Sequence, residues 1–469
     1  MITLTLADLA EATGGTVLTG HPEAIAVSDT AVVRVDSRLV SRGDLFVCQR
    51  GESTDGHNFA AAAVDAGASA LIVERALDLD VPQVQVSNAH DALQELARFV
   101  VARVRARGVL RVVGVTGSNG KTTTKNMLRE ILGRVGETVA PQGSFNNRVG
   151  APLSMLGITE QTQFLVVELG AAGPGEIARL ASIAVPDVAA VLTVGLAHVG
   201  GFGSIETTRA SKAELVTALA PDAVAVLNSD DARVDSMAAL TAAKVVRFGT
   251  GATAEVRATD IQTSLTGTDF TLDVAGERHP VQLKLVGEHQ VVNALAAATI
   301  AQVLDIDPDT TINALESMTR AERYRMEIHT RSDGVTVIND AYNASPDSMA
   351  AALKTLAQLT REGRSIAVLG EMAELGDFSD EEHDRLGRLA VRLNIKKLVV
   401  VGHGARHIHN AAGLEGSWDG ESVLVDTIDE AYDRLREELR PGDVVLVKSS
   451  NSAGLRFLGD RLVESGGAR

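Results

Sequence analysis

A lysine, a threonine and two glycines at fixed spacing carry the clearest chemistry in this chain. Val112-Val113-Gly114-Val115 is an apolar, mostly β-branched run that predicts a buried strand, and the residues after Thr124 predict a helix. Between them lies Thr116-Gly117-Ser118-Asn119-Gly120-Lys121-Thr122-Thr123, a turn of glycines and small polar residues. That order puts backbone N–H groups and a helix N-terminus around a phosphate, with Lys121 on the terminal phosphates and the Thr122 hydroxyl on Mg²⁺. The common form of this loop has glycine where Val115 stands, so the chain carries a tighter variant. The predicted ligand is a nucleoside triphosphate.

Three further residues could assist. Phe164-Leu165-Val166-Val167 reads as a strand ending at Glu168, and a carboxylate at a strand end beside a P-loop is where a Mg²⁺ ligand is needed. A merely solvated glutamate would have the same local sequence. His198 follows the next strand in the same way, though a lone histidine there also reads as an ordinary loop residue. Lys212 falls on the helix expected after Gly203 and, on spacing alone, is indistinguishable from an exposed helical lysine.

The elements that must position these groups form three sections. Before residue 108 there are short strand candidates (44–49, 70–74 and 83–86), a helical stretch (58–66) and an amphipathic helix (91–107) running into the P-loop strand. Apolar runs then alternate with helices: 164–169, 188–194, 223–228 and 244–248. Such alternation predicts a parallel sheet covered on both faces, with chemistry at the carboxyl ends of its strands. Residues 254–285 alternate more and read as antiparallel strands or a hairpin, followed by an alanine-rich helix (291–303). Near residue 320 the pattern restarts with runs at 335–338, 365–369, 397–401 and 443–447, a second open α/β sheet.

At 469 residues the chain is too long for one core, and about three domains is the natural expectation. A formal charge of −17 argues against a general nucleic-acid binder, so anionic substrates would need locally placed cations and helix N-termini. Cys48 is the only cysteine, which excludes an intrachain disulfide and suits a reducing compartment. It lies in the apolar run 45–48 and reads as a buried, inert thiol. Neither a signal peptide nor a membrane span is read. The expectation is a cytoplasmic protein, monomeric and without membrane insertion.

Several separated blocks together resemble the Mur ligase family, ATP-dependent enzymes that add amino acids to the peptidoglycan precursor. The P-loop is one block. Ser144-Phe145-Asn146-Asn147-Arg148-Val149-Gly150 is the family's asparagine-rich block, and Glu168-Leu169-Gly170-Ala171 matches its magnesium glutamate. His198 and Lys212 match the histidine and the lysine of a second metal site, the lysine being carbamylated in the family, which turns an ammonium into a carboxylate-like group. Gly200 departs from the pattern, where relatives often carry an acidic residue. The block 228–231 has a family counterpart near the nucleotide. Asn293 matches a nucleotide-contacting asparagine, with Gln290 replacing another. Arg325 would contact the γ-phosphate and Asp340 the ribose. The resemblance implies ATP and two Mg²⁺ ions as cofactors.

Two blocks point within the family to the branch that adds D-alanyl-D-alanine to UDP-N-acetylmuramoyl-tripeptide: Asp340-Ala341-Tyr342-Asn343-Ala344-Ser345-Pro346 and Gly370-Glu371-Met372-Ala373-Glu374-Leu375-Gly376. Tyr342, Asn343, Ser345 and Pro346 lie where the dipeptide is expected. In the first section, Asp36-Ser37-Arg38 and neighbouring blocks resemble the family's uridine-nucleotide-binding domain, so Ser37 and Arg38, with Asn146 and Asn147, are expected on the UDP substrate. The implied fold is α/β in three domains: a mixed α/β UDP-binding domain (1–108), a P-loop ATPase domain with a parallel sheet (109–319) and a Rossmann-like ligase domain (320–469). The implied route is an acyl phosphate on the tripeptide carboxylate, attacked by the dipeptide amine. Because the groups come from three domains, an open form hinged between Met318 and Glu322 is expected without ligands.

Overall fold

The computed structural model describes residues 1–51, 54–141, 143–197, 199–360, 363–416 and 418–464. His198 lies outside the described residues. Three sheets carry the architecture, together with a two-stranded antiparallel pair, Leu4–Thr5 with Ile25–Val27. The N-terminal sheet has the order Thr16–Thr19, Gln83–Gln85, Ala70–Val73, Leu45–Val47, Val33–Arg34, parallel except for its first strand. Helix Ala89–Arg105 leads out of it. Asn88 caps that helix by accepting from the His90 and Asp91 N–H groups, and residues spaced three and four apart (Leu93, Leu96, Ala97, Val100, Val104) are buried. The helix packs on Leu6–Thr13 and also on Gly150–Met155 beyond the P-loop. One continuous apolar core therefore runs from Leu6 and Leu9 through Leu96 and Val100 to Val112 and Leu165.

The central sheet has nine strands. Strand Arg111–Thr116 lies between Val188–Val191 and Phe164–Glu168, with Thr138–Val139 outside the latter and Val224–Asn228, Lys244–Gly249 and Val256–Ser264 continuing the other side, all parallel. The chain order reverses at the P-loop strand, which opens a crevice at its carboxyl end. The stretch read as antiparallel strands or a hairpin is an antiparallel meander, Val256–Ser264, Gly267–Val274 and Glu277–Leu283, that extends this same sheet.

The helix after the P-loop is Lys121–Leu132, so it starts earlier than the propensities suggested. Thr122, Thr123 and Thr124 disfavour a helix as β-branched residues, but burial overrides that preference: they are 3%, 5% and 0% exposed. Helix Glu288–Val303 packs across it.

The C-terminal sheet has the order Glu327–Thr330, Thr336–Asn339, Val444–Lys448, Ser365–Leu369, Lys397–Val401, Glu421–Val425, with only Glu327–Thr330 antiparallel. Both outer strands escaped the sequence reading. Their residues are mostly half-buried, so they lack the continuous apolar run that marks a central parallel strand. No helix among the described residues is long and apolar enough to cross a membrane.

Candidate active site

The P-loop is tied down on one side by the segment that follows strand Val188–Val191. Ser118 N–H donates to the Thr193 oxygen at 2.8 Å, Gly195 N–H donates to Ser118 Oγ at 2.8 Å, and Asn119 N–H donates to Thr193 Oγ1 at 3.2 Å. Gly120 adopts φ +87, and a Cβ there would lie 2.2 Å from Asn293 Oδ1, so glycine is required on both counts. Asn293 is oriented in turn by donating to Gln290 Oε1 at 3.0 Å, so Gln290 braces Asn293. Thr116 stands apart from the cleft lining: its hydroxyl donates to the Leu169 oxygen at 2.7 Å and knits the two strand ends. The 228–231 block also stays behind the cleft. Asn228 donates to the Leu192 oxygen and Asp231 accepts from Val194 N–H, supporting the segment that supports the loop.

A cleft of about 420 Å³ lies over the loop, lined by Ser118 to Thr123 and Asn293 from the central part and by Arg325, Asp340, Tyr342 and Asn343 from the C-terminal part. Lys121 Nζ folds back to donate to the Gly117 oxygen at 2.7 Å. Burial pulls its pKa below the ordinary lysine value, Glu168 opposes that shift, and Arg325 adds to it. Glu168 is buried and accepts from Asn146 Nδ2 at 2.7 Å through Oε1. Its Oε2 is buried without a hydrogen-bond partner, 4.0 Å from Lys125 Nζ. An unpaired carboxylate oxygen in the same cleft as the Thr122 hydroxyl is a donor set that a hard divalent cation accepts. Among the described residues no three His, Cys, Asp or Glu side chains cluster, so a cation here would draw on mixed oxygen ligands and phosphate.

Lys212 sits on helix Ile205–Thr217, buried, with Nζ 5.6 Å from the centre of the Phe202 ring. Its pKa is brought down to about 7, chiefly by burial and also by the nearby Lys121 charge, with Glu214 partly opposing both. It lines a second cavity of about 700 Å³ that also touches Lys121, Asn146, Arg148 and Glu374. Asn147 contributes as the cap of the following turn, accepting from Gly150 N–H at 2.8 Å. Ser37 and Arg38 are not among the residues lining this cavity; Arg38 is exposed and paired with Asp36 at 2.6 Å. The N-terminal section reaches it through Asn88, His90 and Asp91 instead. The sequence pattern puts the helix start at Asp91 and assigns none of these residues a role.

Arg325 departs from expectation. Instead of standing back in an open form, its Nη2 lies 3.3 Å from both Thr122 Oγ1 and Ser144 Oγ, and its guanidinium stacks 4.3 Å from the Tyr342 ring centre. The C-terminal part is held against the central part by more than this contact. Ser345 Oγ donates to Asn119 Oδ1 at 3.1 Å, Asp347 accepts from Leu196 N–H at 3.1 Å, and Asn126 donates to the Ala321 oxygen at 2.7 Å. Asp340 is fixed by Lys448 at 2.6 Å and by Met326 N–H at 2.9 Å. Lys448 also lines the cleft; its block 447–450 resembles a family block expected near the dipeptide, and here its ammonium holds Asp340. Pro346 opens helix Pro346–Leu359 beside its cap Ser345 and lines neither the nucleotide cleft nor the Lys212 cavity. Gly200 has no space for an acidic side chain, since a Cβ would lie 2.7 Å from Gly376 N.

Comparison with known proteins agrees with this geometry. Residues 115–301 match the Mur ligase middle domain, residues 324–451 the Mur ligase glutamate ligase domain, and residues 29–113 the Mur ligase family catalytic domain. The chain is 44% identical to the UDP-N-acetylmuramoyl-tripeptide--D-alanyl-D-alanine ligase of Mycobacterium tuberculosis, covering 99% of this chain and 98% of that protein. It is 33% identical to the Escherichia coli ligase of the same name, over 99% and 100% of the two chains. A crystal structure of MurF from Acinetobacter baumannii superposes with a TM-score of 0.89 at 31% identity, covering 99% of each chain. MurF from Thermotoga maritima in complex with ADP gives 0.81 at 29% identity, covering 93% of this chain and 98% of that one. The chain belongs to the Mur ligase family.

Proposed function

We infer that the chain is an ATP-dependent ligase that joins D-alanyl-D-alanine to UDP-N-acetylmuramoyl-tripeptide, giving the pentapeptide, ADP and phosphate in cytoplasmic peptidoglycan precursor synthesis. One observation carries the reading: Lys121 and Asn146 line both the nucleotide cleft and the Lys212 cavity. A phosphate-binding lysine in the wall common to two cavities suits transfer of a phosphoryl group from a nucleotide in one to a carboxylate in the other. The full-length likeness to the ligases of M. tuberculosis and E. coli names the substrates.

The tripeptide carboxylate attacks the γ-phosphorus, ADP leaves, and an acyl phosphate forms. The dipeptide amine then attacks the acyl carbon, loses a proton, and phosphate departs. Lys121 and Arg325 hold the charge that shifts onto the transferring oxygens. Asn293 and Asp340 bind the rest of the nucleotide, and Asn146 orients Glu168. Glu168 and Thr122 would hold one Mg²⁺, and His198 with carbamylated Lys212 a second; bound Mg²⁺ neutralises triphosphate charge. The carbamate forms when the neutral Lys212 amine adds to CO₂ with loss of a proton, a step favoured by its lowered pKa. Units 1–108, 109–319 and 320–469 divide these tasks: UDP substrate, ATP, and incoming dipeptide.

The test is product mass from purified enzyme, ATP, Mg²⁺ and UDP-tripeptide with the dipeptide or with single amino acids, together with ¹⁸O in the substrate carboxylate. Pentapeptide formed only with the dipeptide, and ¹⁸O found in released phosphate, are the expected results. Label that never reaches phosphate would rule out the acyl phosphate.

A further inference from the structure

The backbone that carries Arg325 turns sharply on both sides of it. Tyr324 has φ +61 and Met326 has φ +51, both in the left-handed region that large side chains seldom occupy. Two such residues within three positions persist only where the surroundings hold them. Arg325 itself supplies little of that hold. Its guanidinium donates to two neutral hydroxyls at 3.3 Å, Thr122 Oγ1 and Ser144 Oγ, and its Nε is buried without a hydrogen-bond partner. Apart from the stack on Tyr342, the direction of this charge is set by the turn beneath it.

The turn is fastened to the C-terminal part through main chain and side chain. Tyr324 N–H donates to Glu327 Oε2 at 3.1 Å, the Tyr324 oxygen accepts from Tyr342 N–H at 3.1 Å, and Met326 N–H donates to Asp340 Oδ1 at 2.9 Å. A further fastening comes from outside the cleft. Tyr324 Oη donates to Asp460 Oδ2 at 2.9 Å, and Arg323 Nη2 donates to the same oxygen at 3.2 Å. The Arg323 guanidinium also lies 4.7 Å from the Tyr324 ring centre. Asp460 stands on the last helix, Leu455–Glu464, and neither it nor Tyr324 is among the residues lining the nucleotide cleft. One carboxylate thus ties down the two residues that precede Arg325.

We propose that Tyr324 and Asp460 are positioning residues for phosphoryl transfer: their hydrogen bond holds the left-handed turn that aims Arg325 at the γ-phosphate. The inference rests on the ligase reading above, which puts a γ-phosphate within reach of Arg325. The other fastenings hold main-chain groups of the turn, whereas Asp460 takes the Tyr324 side chain. Without that bond the phenol is free to swing, and residue 324 can leave φ +61 for the ordinary backbone regions. Such a change redirects the next side chain, which is Arg325. A planar guanidinium fork that must meet phosphate oxygens tolerates little change of direction. Asp460 therefore acts on the site from behind it, through the backbone and not through contact with a ligand.

The test is calorimetric binding of ADP and of a non-hydrolysable ATP analogue, both with excess Mg²⁺, since only the analogue carries a γ-phosphate. A general loss of structure weakens both ligands alike and leaves the ratio of their affinities unmoved. Arg325→Ala should lower the analogue-to-ADP ratio by about 10-fold or more, the range of a hydrogen bond to a charged group. Tyr324→Phe and Asp460→Ala should each lower it by about three- to tenfold, with ADP affinity unchanged. In the Arg325→Ala background neither change should lower the ratio further, because the group they position is gone. If Asp460→Ala fails to fold, Tyr324→Phe, which removes a single oxygen, carries the test. A ratio that stays at the parent value in Tyr324→Phe, or that falls equally in the parent and Arg325→Ala backgrounds, overturns the assignment and leaves the ligase reading intact. A parent enzyme that forms no pentapeptide overturns the ligase reading and, with it, the role in phosphoryl transfer.

Discussion

Arg325 Nη2 and Thr122 Oγ1 are 3.3 Å apart, so a guanidinium from the C-terminal part and a hydroxyl from the P-loop helix face the same small volume. Only a closed arrangement of the two parts brings them together. The stack on Tyr342, at 4.3 Å, holds the guanidinium plane in place. Positive charge delivered this way is available to a phosphate without rearrangement at the moment of reaction.

Arg325→Lys should therefore retain the fold but lower kcat by about 100-fold or more, because an ammonium neither stacks on Tyr342 nor spans two oxygens. Rapid-quench measurement of acyl-phosphate formation checks this. A variant with unchanged kcat would remove Arg325 from the phosphoryl-transfer step.

Gly120→Ala should impair nucleotide binding and stability together. An alanine at φ +87 carries roughly 1–2 kcal/mol of strain, and its Cβ would lie 2.2 Å from Asn293 Oδ1. The double variant Gly120→Ala/Asn293→Ala should recover part of the stability loss, since the clash is removed and the strain is not. Thermal melts of the four proteins in the cycle, with and without an ATP analogue, measure the coupling.

Lys212 predicts a pH and CO₂ dependence. Its pKa is brought down to about 7, so the neutral amine predominates above pH 7 and the ammonium below it. Only the amine adds CO₂, so activity should fall as pH drops through 7, and depletion of CO₂ should lower the rate until bicarbonate is restored. Lys212→Ala should be nearly inactive and partly rescued by short carboxylates. A rate that is independent of CO₂ from pH 6 to 8 would count against the carbamate.

His383 should make stability pH-dependent through the loop that carries Glu374. It is buried, its Nδ1 bonds the Ser379 oxygen, and its Nε2 accepts from Met372 N–H, which only the neutral ring can do. Burial lowers its pKa from 6.5. A lowered folded value means that the stabilisation is complete above about pH 6.5 and is lost as pH falls toward and through the folded value. Denaturant midpoints between pH 7.5 and 5 should decline in the parent, and His383→Gln should lack that part of the decline.

The P-loop, the strand-end glutamate and the three α/β sections were readable from the chain because each has a local physical signature. Glycines at Gly117 and Gly120, a lysine at Lys121, and continuous apolar runs such as 112–115 and 164–167 identify themselves within a few residues. The edge strands Glu327–Thr330 and Glu421–Val425 did not, because half-buried strands share the composition of loops. The helix start at Lys121 was missed for a related reason: three threonines argue against a helix until burial is known.

Function-bearing pairs were the least local. Arg325 and Thr122 are 203 residues apart, and Gly200 meets Gly376 only across a packed junction. Local residue types determined that this protein binds a nucleoside triphosphate and where its sheets lie. Which charges share a cavity, how far Lys212 is shifted from an ordinary lysine, and which oxygen of Glu168 is left unpaired were decided by tertiary packing. Burial and distance set those properties, and neither exists until the sheets have come together.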